Sequence, residues 1–348
     1  MIFSNKKISY FGLDISDLSF KLAAVINKKN IFELVNYNKA NVPPGYFENG
    51  KIIKLQESSN LIKELVNSAY GPKIKTKFVH ACLPEKQTFI KIIYLPHVSE
   101  TEIPSAIDWA AEHHLPFSLD EIYFDYHILE NKKNDKEIPV VIGAAPKEIV
   151  DDYTKMIKLA GFVPLSLEIE ALAIARAIYP KEKMLEQAQA IVDLGANRSS
   201  LIICAQDAVQ FSLSLPISGN KITQVISQTL KISPRQAEAA KIICGLDEKK
   251  CKGGIKIILE KELDNLANEI NTGLKYYQEN IAKSTTIEKL LLTGGGANMI
   301  QLNKILSEKV GLPTEVADIS TNIKISKNLN LPTEQLLSLT TAIGLAIK

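Results

Sequence analysis

The chain has 348 residues and is 46% hydrophobic, enough for two domains with real cores. Its 41 Lys and Arg nearly cancel 39 Asp and Glu, leaving +2, so the charge balance carries no nucleic-acid footprint. No apolar run approaches the roughly 18 residues that a membrane span needs, and residues 2–7 are short and polar, so neither a spanning segment nor a signal peptide is expected. Cys82, Cys204, Cys244 and Cys251 lie in or beside apolar runs without CxxC or zinc spacing, and are expected to be free buried thiols in a reducing cytoplasm.

In chain order, residues 8–37 read as a three-strand meander with turns at 14–18 and 27–30. A Pro-, Gly- and Asn-rich loop (41–50) precedes a helix at 55–69, marked by Leu55, Leu61, Ile62, Leu65 and Val66 and ended by Gly71-Pro72. A strand follows at 77–84. Residues 86–160 change texture: a strand at 88–95, a helix at 99–115 with a Ser99/Glu102 capping box, two strands flanking a charged turn at 130–137, and a helix at 147–160. That order reads as an inserted subdomain.

The 167–178 stretch, LEIEALAIARAI, reads as a short helix bearing Glu168 and Glu170. After a hairpin at 191–206 come a helix from Gly219-Asn220 to 230 and another at 233–243, with Ser233 as cap, Pro234 in the first turn and Gln236 as the box partner. Glu238 and Lys241 lie nearly one turn apart on that helix, which by itself is an intrahelical pair worth about 0.3 kcal/mol. A long helix at 259–281 has core spacing. LLLTGGGA (290–297) is a buried strand ending in three glycines, with a helix expected over 298–310, and LLSLTTAIGLA (336–346) is the last helix.

Two stretches share one pattern. In 191–206, IVDLGANRSSLIICAQ, an apolar run ends at Asp193, a small-residue tip follows (Gly195, Ala196, Asn197), and a second apolar run begins after Arg198. In 10–22, YFGLDISDLSFKL, Asp14 stands where Asp193 stands, Ser19 aligns with Arg198 and Leu22 with Leu201. A repeat of half the chain implies a duplicated domain. A tip of small residues lets backbone N–H groups approach an anion, and an acid beside it can hold a hydrated divalent cation, although such hairpins are also common without ligands. No Walker A sequence occurs, and Met299 stands where a dinucleotide fingerprint needs glycine.

The order of motifs resembles the actin/Hsp70/sugar-kinase superfamily and, over nearly the whole chain, the PilM family of type IV pilus assembly proteins, relatives of the division protein FtsA. GLDISDLSFK resembles the first phosphate motif, VDLGANRSSL the second and ISGNKIT the glycine turn after it. LEIEALAIARA and the terminal IGLA resemble the two connecting helices, AEAAK and LTGGGANM the adenosine-binding pieces, and the helix before PFSLDE the family's inserted subdomain.

The resemblance implies an α/β actin-like ATPase fold: duplicated RNase H-like domains flanking a nucleotide cleft, with an FtsA-type 1C subdomain. The first actin-like subdomain would comprise 1–85 and 161–180, the insert 86–160, and the second domain 181–348. It further implies ATP and Mg²⁺ as ligands. Asp14 and Asp193 would hold magnesium through waters. Lys21 and the tips at Ser16, Asp17, Gly195, Ala196 and Asn197 would contact phosphates, and Gly219 would let backbone approach the terminal one. Glu238 and Lys241 would reach ribose and base, and Gly294, Gly295 and Gly296 would pack on the adenosine. Glu170 would orient the attacking water, with Glu168 as the alternative.

Two departures stand out. Ser16-Asp17 replaces the family's Gly-Ser, which restricts φ, and a carboxylate about 4 Å from phosphate repels it by about 4 kcal/mol at an effective dielectric of about 20 unless magnesium or Arg198 offsets it. ATP binding with slow or negligible hydrolysis is therefore expected. The implied role is a cytoplasmic scaffold at the inner face of the membrane. It would bind the N-terminal cytoplasmic tail of a PilN-like protein in a groove against the insert, within a platform that includes pilus assembly ATPases. Phe89, Tyr94, Trp109, Phe117 and Tyr123 are candidates for that groove or for the insert's core. The competing readings are a nucleotide-independent scaffold, an FtsA-like tether, which needs a C-terminal amphipathic helix not seen after 348, and a sugar kinase, which needs a further acid at a strand end.

Overall fold

The computed structural model describes residues 9–28, 31–99, 101–115, 118–129, 137–180, 185–206, 208–282 and 285–348. Parts of the expected turns at 27–30 and 130–137, and Phe117, lie outside these residues. The first half contains β1 (Phe11–Ile15), β2 (Ser19–Lys28), β3 (Ile31–Asn41), the small hairpin β4 (Phe47–Glu48) and β5 (Lys51–Ile52), α1 (Leu55–Asn67) and β6 (Phe78–Leu83). It continues with β7 (Phe89–Pro96), α2 (Ile103–His114), β8 (Ile122–Ile128), β9 (Glu137–Pro146), α3 (Lys147–Leu159), β10 (Val163–Ile169) and α4 (Glu170–Ile178). The second half contains β11 (Leu185–Leu194), β12 (Ser199–Gln206), β13 (Ala208–Leu215), α5 (Gly219–Leu230), α6 (Pro234–Cys244), α7 (Gly254–Asn280) and β14 (Ile287–Thr293). It ends with α8 (Leu302–Val310), β15 (Thr314–Val316), β16 (Ile323–Ile325), α9 (Thr333–Leu336) and α10 (Thr340–Ala346). Among the described residues, no helix is long and apolar enough to cross a membrane.

The duplication is visible in the sheets. One runs β10-β6-β1-β2-β3-β16, the other β15-β14-β11-β12-β13-β7-β9-β8. Without the added edge strands, each is an antiparallel meander with two further strands parallel to its first. The register repeats as well: Asp14 faces Lys21 and Leu13 faces Leu22 in the first hairpin, while Asp193 faces Ser200 and Val192 faces Leu201 in the second. This is the duplicated RNase H-like arrangement. Strands β1 and β11 are covered on both faces, which is why they read as continuous apolar runs rather than alternating ones.

The strand–helix–strand–strand insert has its own small core, with Ile93, Leu95, Ile107, Val140 and Ile142. It leaves the chain in the first half, yet its sheet extends the second, through β7 beside β13 with Lys91 opposite Phe211. Helix α3, grouped with the insert by sequence, packs instead in the first core: Ile149, Tyr153, Met156 and Ile157 form its apolar stripe against Phe11, Leu13, Ile62 and Leu65.

Several local expectations need correction. Residues 167–169 belong to β10, and the helix begins only at Glu170. The last helix is broken by a 3₁₀ turn at Leu337–Leu339. The glycine run does not open a helix: Gly295–Asn298 form a 3₁₀ turn, Gln301 is left-handed, and α8 starts at Leu302. Only half of the first capping box forms, because Glu102 accepts from the Ser99 N–H (3.1 Å) while the Ser99 hydroxyl turns onto Glu102 itself. Helix α2 starts after Glu102, with Pro104 in its first turn. The Ser233/Gln236 box forms both arms.

Cys244 and Cys251 are not free thiols but a disulfide. Gly245, at φ +54°, turns the chain at the end of α6, and left-handed Cys251 and Lys252 turn it again, which brings the Cα atoms to 5.8 Å, within bridging range. Cys82 and Cys204 are free and buried.

The two connecting helices, α4 and α10, pack on each other between the two sheets at van der Waals distance. A Cβ on Gly344 would sit 1.8 Å from the Ala173 carbonyl oxygen, and Arg176 donates to the Gly344 carbonyl (2.9 Å).

Candidate functional site

The two hairpin tips, the start of α4 and the glycine turn surround a cavity of about 120 Å³. Of the sequence-derived candidates, Ser16, Asp17, Lys21, Glu170, Asp193, Gly195, Ala196, Asn197, Gly294 and Gly295 line it. Asp14 lies directly beneath, its carboxylate 2.7 Å from the Lys21 ammonium that lines the wall. The two are cross-strand partners, so ladder register alone makes the pair.

The second acid has no such partner, since Ser200 stands opposite it. Burial pushes Asp193 up to about 6, with Lys21 pulling it down and Asp14 pushing it further up. Glu170 is held well above the ordinary carboxylate range, first by burial and then by Asp14, Asp193 and Glu85. Thr341 of α10 lies 3.4 Å from its Oε1. Glu168 faces the other way, bound to Arg176 (2.9 Å) and Lys348, so Glu170 is the acid in the cleft.

Four further candidates, Gly219, Glu238, Lys241 and Gly296, are not among the lining residues. Gly219 donates to the Gly195 carbonyl (3.0 Å) and Asn220 to that of Ala196 (2.8 Å), which pins α5 to the second tip. Lys241 bonds the Gly219 carbonyl (3.1 Å), Thr223 (2.9 Å) and Glu238 (2.7 Å), so the Glu238–Lys241 pair ties α6 to α5 as well as closing a helical turn. Gly296 packs on Leu194, where a Cβ would approach to 2.8 Å. Gly294, at φ +78°, sits so close to Asp193 that a Cβ would lie 2.5 Å from its carboxylate.

The first tip differs from its expectation. Neither tip uses a positive φ, so Ser16-Asp17 is unstrained, and Gly195 is required instead because a Cβ would meet the Arg198 carbonyl at 2.5 Å. Ser16 Oγ donates to the Ser19 carbonyl (2.8 Å) and closes the turn. Asp17 does not stand as a bare charge: Arg198 of the opposite tip donates to it at 2.6 Å and the Gly50 N–H at 3.2 Å.

Sequence reasoning missed two cleft residues. Glu85 follows the end of β6, is 9% exposed and keeps one carboxylate oxygen without a hydrogen-bond partner. Burial, then Asp193, push it up to about 7 against the Ser200 hydroxyl and Arg198. The signal was present, as an acid immediately after the apolar run and Leu83-Pro84. Lys39 also lines the cleft, opposite Lys21 in the β2–β3 ladder; burial and the Lys21 cation lower its pKa. Only the register reveals it. Among the described residues, no three His, Cys, Asp or Glu side chains converge to ligate a metal directly.

The family model described as type IV pilus assembly protein PilM matches residues 12–348. Cell division protein FtsA of Streptococcus pneumoniae is 24% identical over 205 residues, 56% of this chain and 44% of that protein. FtsA of Buchnera aphidicola is 30% identical over 182 residues, 44% of this chain and 42% of that protein. The chain thus spans less than half the length of these curated relatives. Among solved structures, a PilM–PilN type IV pilus biogenesis complex matches with TM-score 0.80 and 21% identity over 98% of each chain. MreB5 of Spiroplasma citri, bound to AMPPNP, matches with TM-score 0.55 and 15% identity over 97% of this chain and 95% of that one. These likenesses show an actin-like fold, and with the family model running from Gly12 to Lys348, the chain belongs to the PilM family of type IV pilus assembly proteins.

Proposed function

We propose that the protein is an ATP-binding scaffold of the pilus inner-membrane platform that holds the cytoplasmic tail of a PilN-like protein. The observation that carries the nucleotide half is a surplus of buried acid. Asp14, Asp193, Glu170 and Glu85 share the cleft, and only Lys21 among the cations is tightly paired there with one of these four acids. A hydrated divalent cation brought with a polyphosphate tail relieves such a surplus. Magnesium would supply charge neutralisation on the phosphates. Asp14 and Asp193 hold its waters, Lys21 and the backbone at both tips take phosphate oxygens, Gly294 and Gly295 offer a flat face to the nucleoside, and Glu170 positions water. Calorimetric titration of ATP with magnesium into nucleotide-stripped protein tests this: micromolar binding that needs magnesium is expected, and an Asp193→Ala protein that binds ATP equally well would refute it. A scaffold that ignores nucleotide is the second reading, favoured by the Asp17–Arg198 pair across the cleft; absence of binding both by wild type and by a protein lacking the Asp17 carboxylate would establish it.

For the partner, a solved complex unites a PilM with PilN. Here a largely apolar cavity of about 390 Å³ lies where the first sheet, the insert and the second sheet meet, with Phe32, His127, Val141, Leu172, Tyr179 and Val209 in its wall. Trp109, Tyr123 and Tyr94 are exposed elsewhere on the insert, and Phe89 packs against the insert's core. Deleting residues 86–160 would remove α3 from the first core, so point changes are the appropriate test. Leu172→Glu is expected to weaken a fluorescent tail peptide at least tenfold in anisotropy, read beside a thermal melt because Leu172 also packs against the core between the sheets; full binding by the folded variant would exclude this cavity.

A further inference from the structure

The Asp17–Arg198 pair is the feature of the cleft that the family pattern does not account for. Each side chain is only 15% exposed, the separation is 2.6 Å, and the two residues come from opposite tips, so the pair stitches the two halves of the molecule across the place where they would part. The partners are held unequally. Asp17 also accepts the Gly50 N–H, and Gly50 is itself fixed: a Cβ there would meet Pro84 at 2.8 Å, and its carbonyl accepts from the buried Tyr153 hydroxyl at 3.0 Å. Among the described residues, the Arg198 guanidinium hydrogen-bonds Asp17 alone, while Glu170 and Glu85 also face its cation. Its counterpart in the first hairpin is Ser19, so one tip carries a guanidinium and the other does not.

A guanidinium beside the Gly195–Asn197 tip has the planar fork that matches phosphate oxygens, and a triphosphate offers more charge than one carboxylate. We propose that Arg198 is a polyphosphate ligand held in reserve, and that the Asp17–Arg198 pair is a latch which the phosphate tail of an incoming nucleotide displaces. This rests on the nucleotide reading above. Asp17 then stays on the Gly50 N–H while Arg198 turns to the phosphate. Closed in nine molecules out of ten, such a latch raises the apparent Kd about tenfold, because only the open fraction binds. Adenosine, with no phosphate to exchange for Asp17, gains nothing from Arg198.

The test is titration of ATP, ADP and adenosine, with magnesium, into wild type, Asp17→Asn, Asp17→Ser and the double variant Asp17→Asn/Arg198→Ala, each checked for a wild-type circular-dichroism melt. The two Asp17 variants are expected to bind ATP about tenfold tighter than wild type with adenosine unchanged, and the double variant to lose that gain. ATP affinity unchanged or weakened in both Asp17 variants, or a double variant as tight as Asp17→Asn, overturns the latch while wild-type binding leaves the nucleotide reading intact. Failure of wild type and both Asp17 variants to bind ATP overturns both together. Binding by the Asp17 variants with none by wild type supports the latch.

Discussion

The two hairpins are copies in backbone and opposites in electrostatics. The first carries Asp14 with Lys21 across the ladder, a buried ion pair complete in itself. The second carries Asp193 opposite Ser200, with Glu85 facing it from the end of β6, and no cation of its own on that ladder. One copy thus keeps its acid paired before a ligand arrives, and the other leaves its acid without a cross-strand cation. A duplicated fold can give its two copies different resting electrostatics by changing one cross-strand partner.

The largest effect should come from breaking the satisfied half. Lys21→Met leaves Asp14 buried and unpaired, and is expected to cost about 3 kcal/mol in urea unfolding, against about 0.5 kcal/mol for Ser200→Ala on the equivalent rung. Equal losses would mean that the rungs are not electrostatically different.

Relieving the unsatisfied half should stabilise. Between its ordinary 4.5 and about 7, folded Glu85 keeps a proton that the unfolded chain has lost, so it subtracts stability as pH rises through that window. Glu85→Gln is therefore expected to gain about 2 kcal/mol at pH 8 and nothing at pH 4, read from melts at both values. Asp193→Asn should move the same way between 3.8 and about 6, while Asp14→Asn should destabilise at pH 8. A loss for all three at pH 8 would contradict the comparison.

The smallest effects separate neighbouring glycines. Gly294→Ala meets both a left-handed φ and the Asp193 carboxylate, and should cost about 1–2 kcal/mol. At Gly295 a Cβ finds only the Ser338 side chain at 3.9 Å, so alanine there should change stability by less than about 0.5 kcal/mol while testing the nucleoside face by calorimetry.

The duplication, the acids Asp14 and Asp193, the tips and the glycine turn were readable because each is a local pattern: an apolar run, an acid where it ends, small residues where the backbone must turn. The Ser233 capping box, another local pattern, forms both its arms, whereas the Ser99 box of the same spacing forms only one. What failed depends on partners distant in sequence. Residues 167–169 are strand because β6 pairs with them, despite an alanine-rich continuation. Helix α3 joins the first core because its stripe meets α1 there. The Cys244–Cys251 bridge follows from two turns whose φ values no spacing rule encodes. Glu170 rather than Glu168, the inward Glu85 and Lys39, and the Arg198 held by Asp17 were settled only when the hairpins were brought face to face. The amino-acid order determined which groups could carry charge and where the backbone could turn; tertiary structure decided which charges share one dry space, because that energy depends on distance and burial rather than on position along the chain.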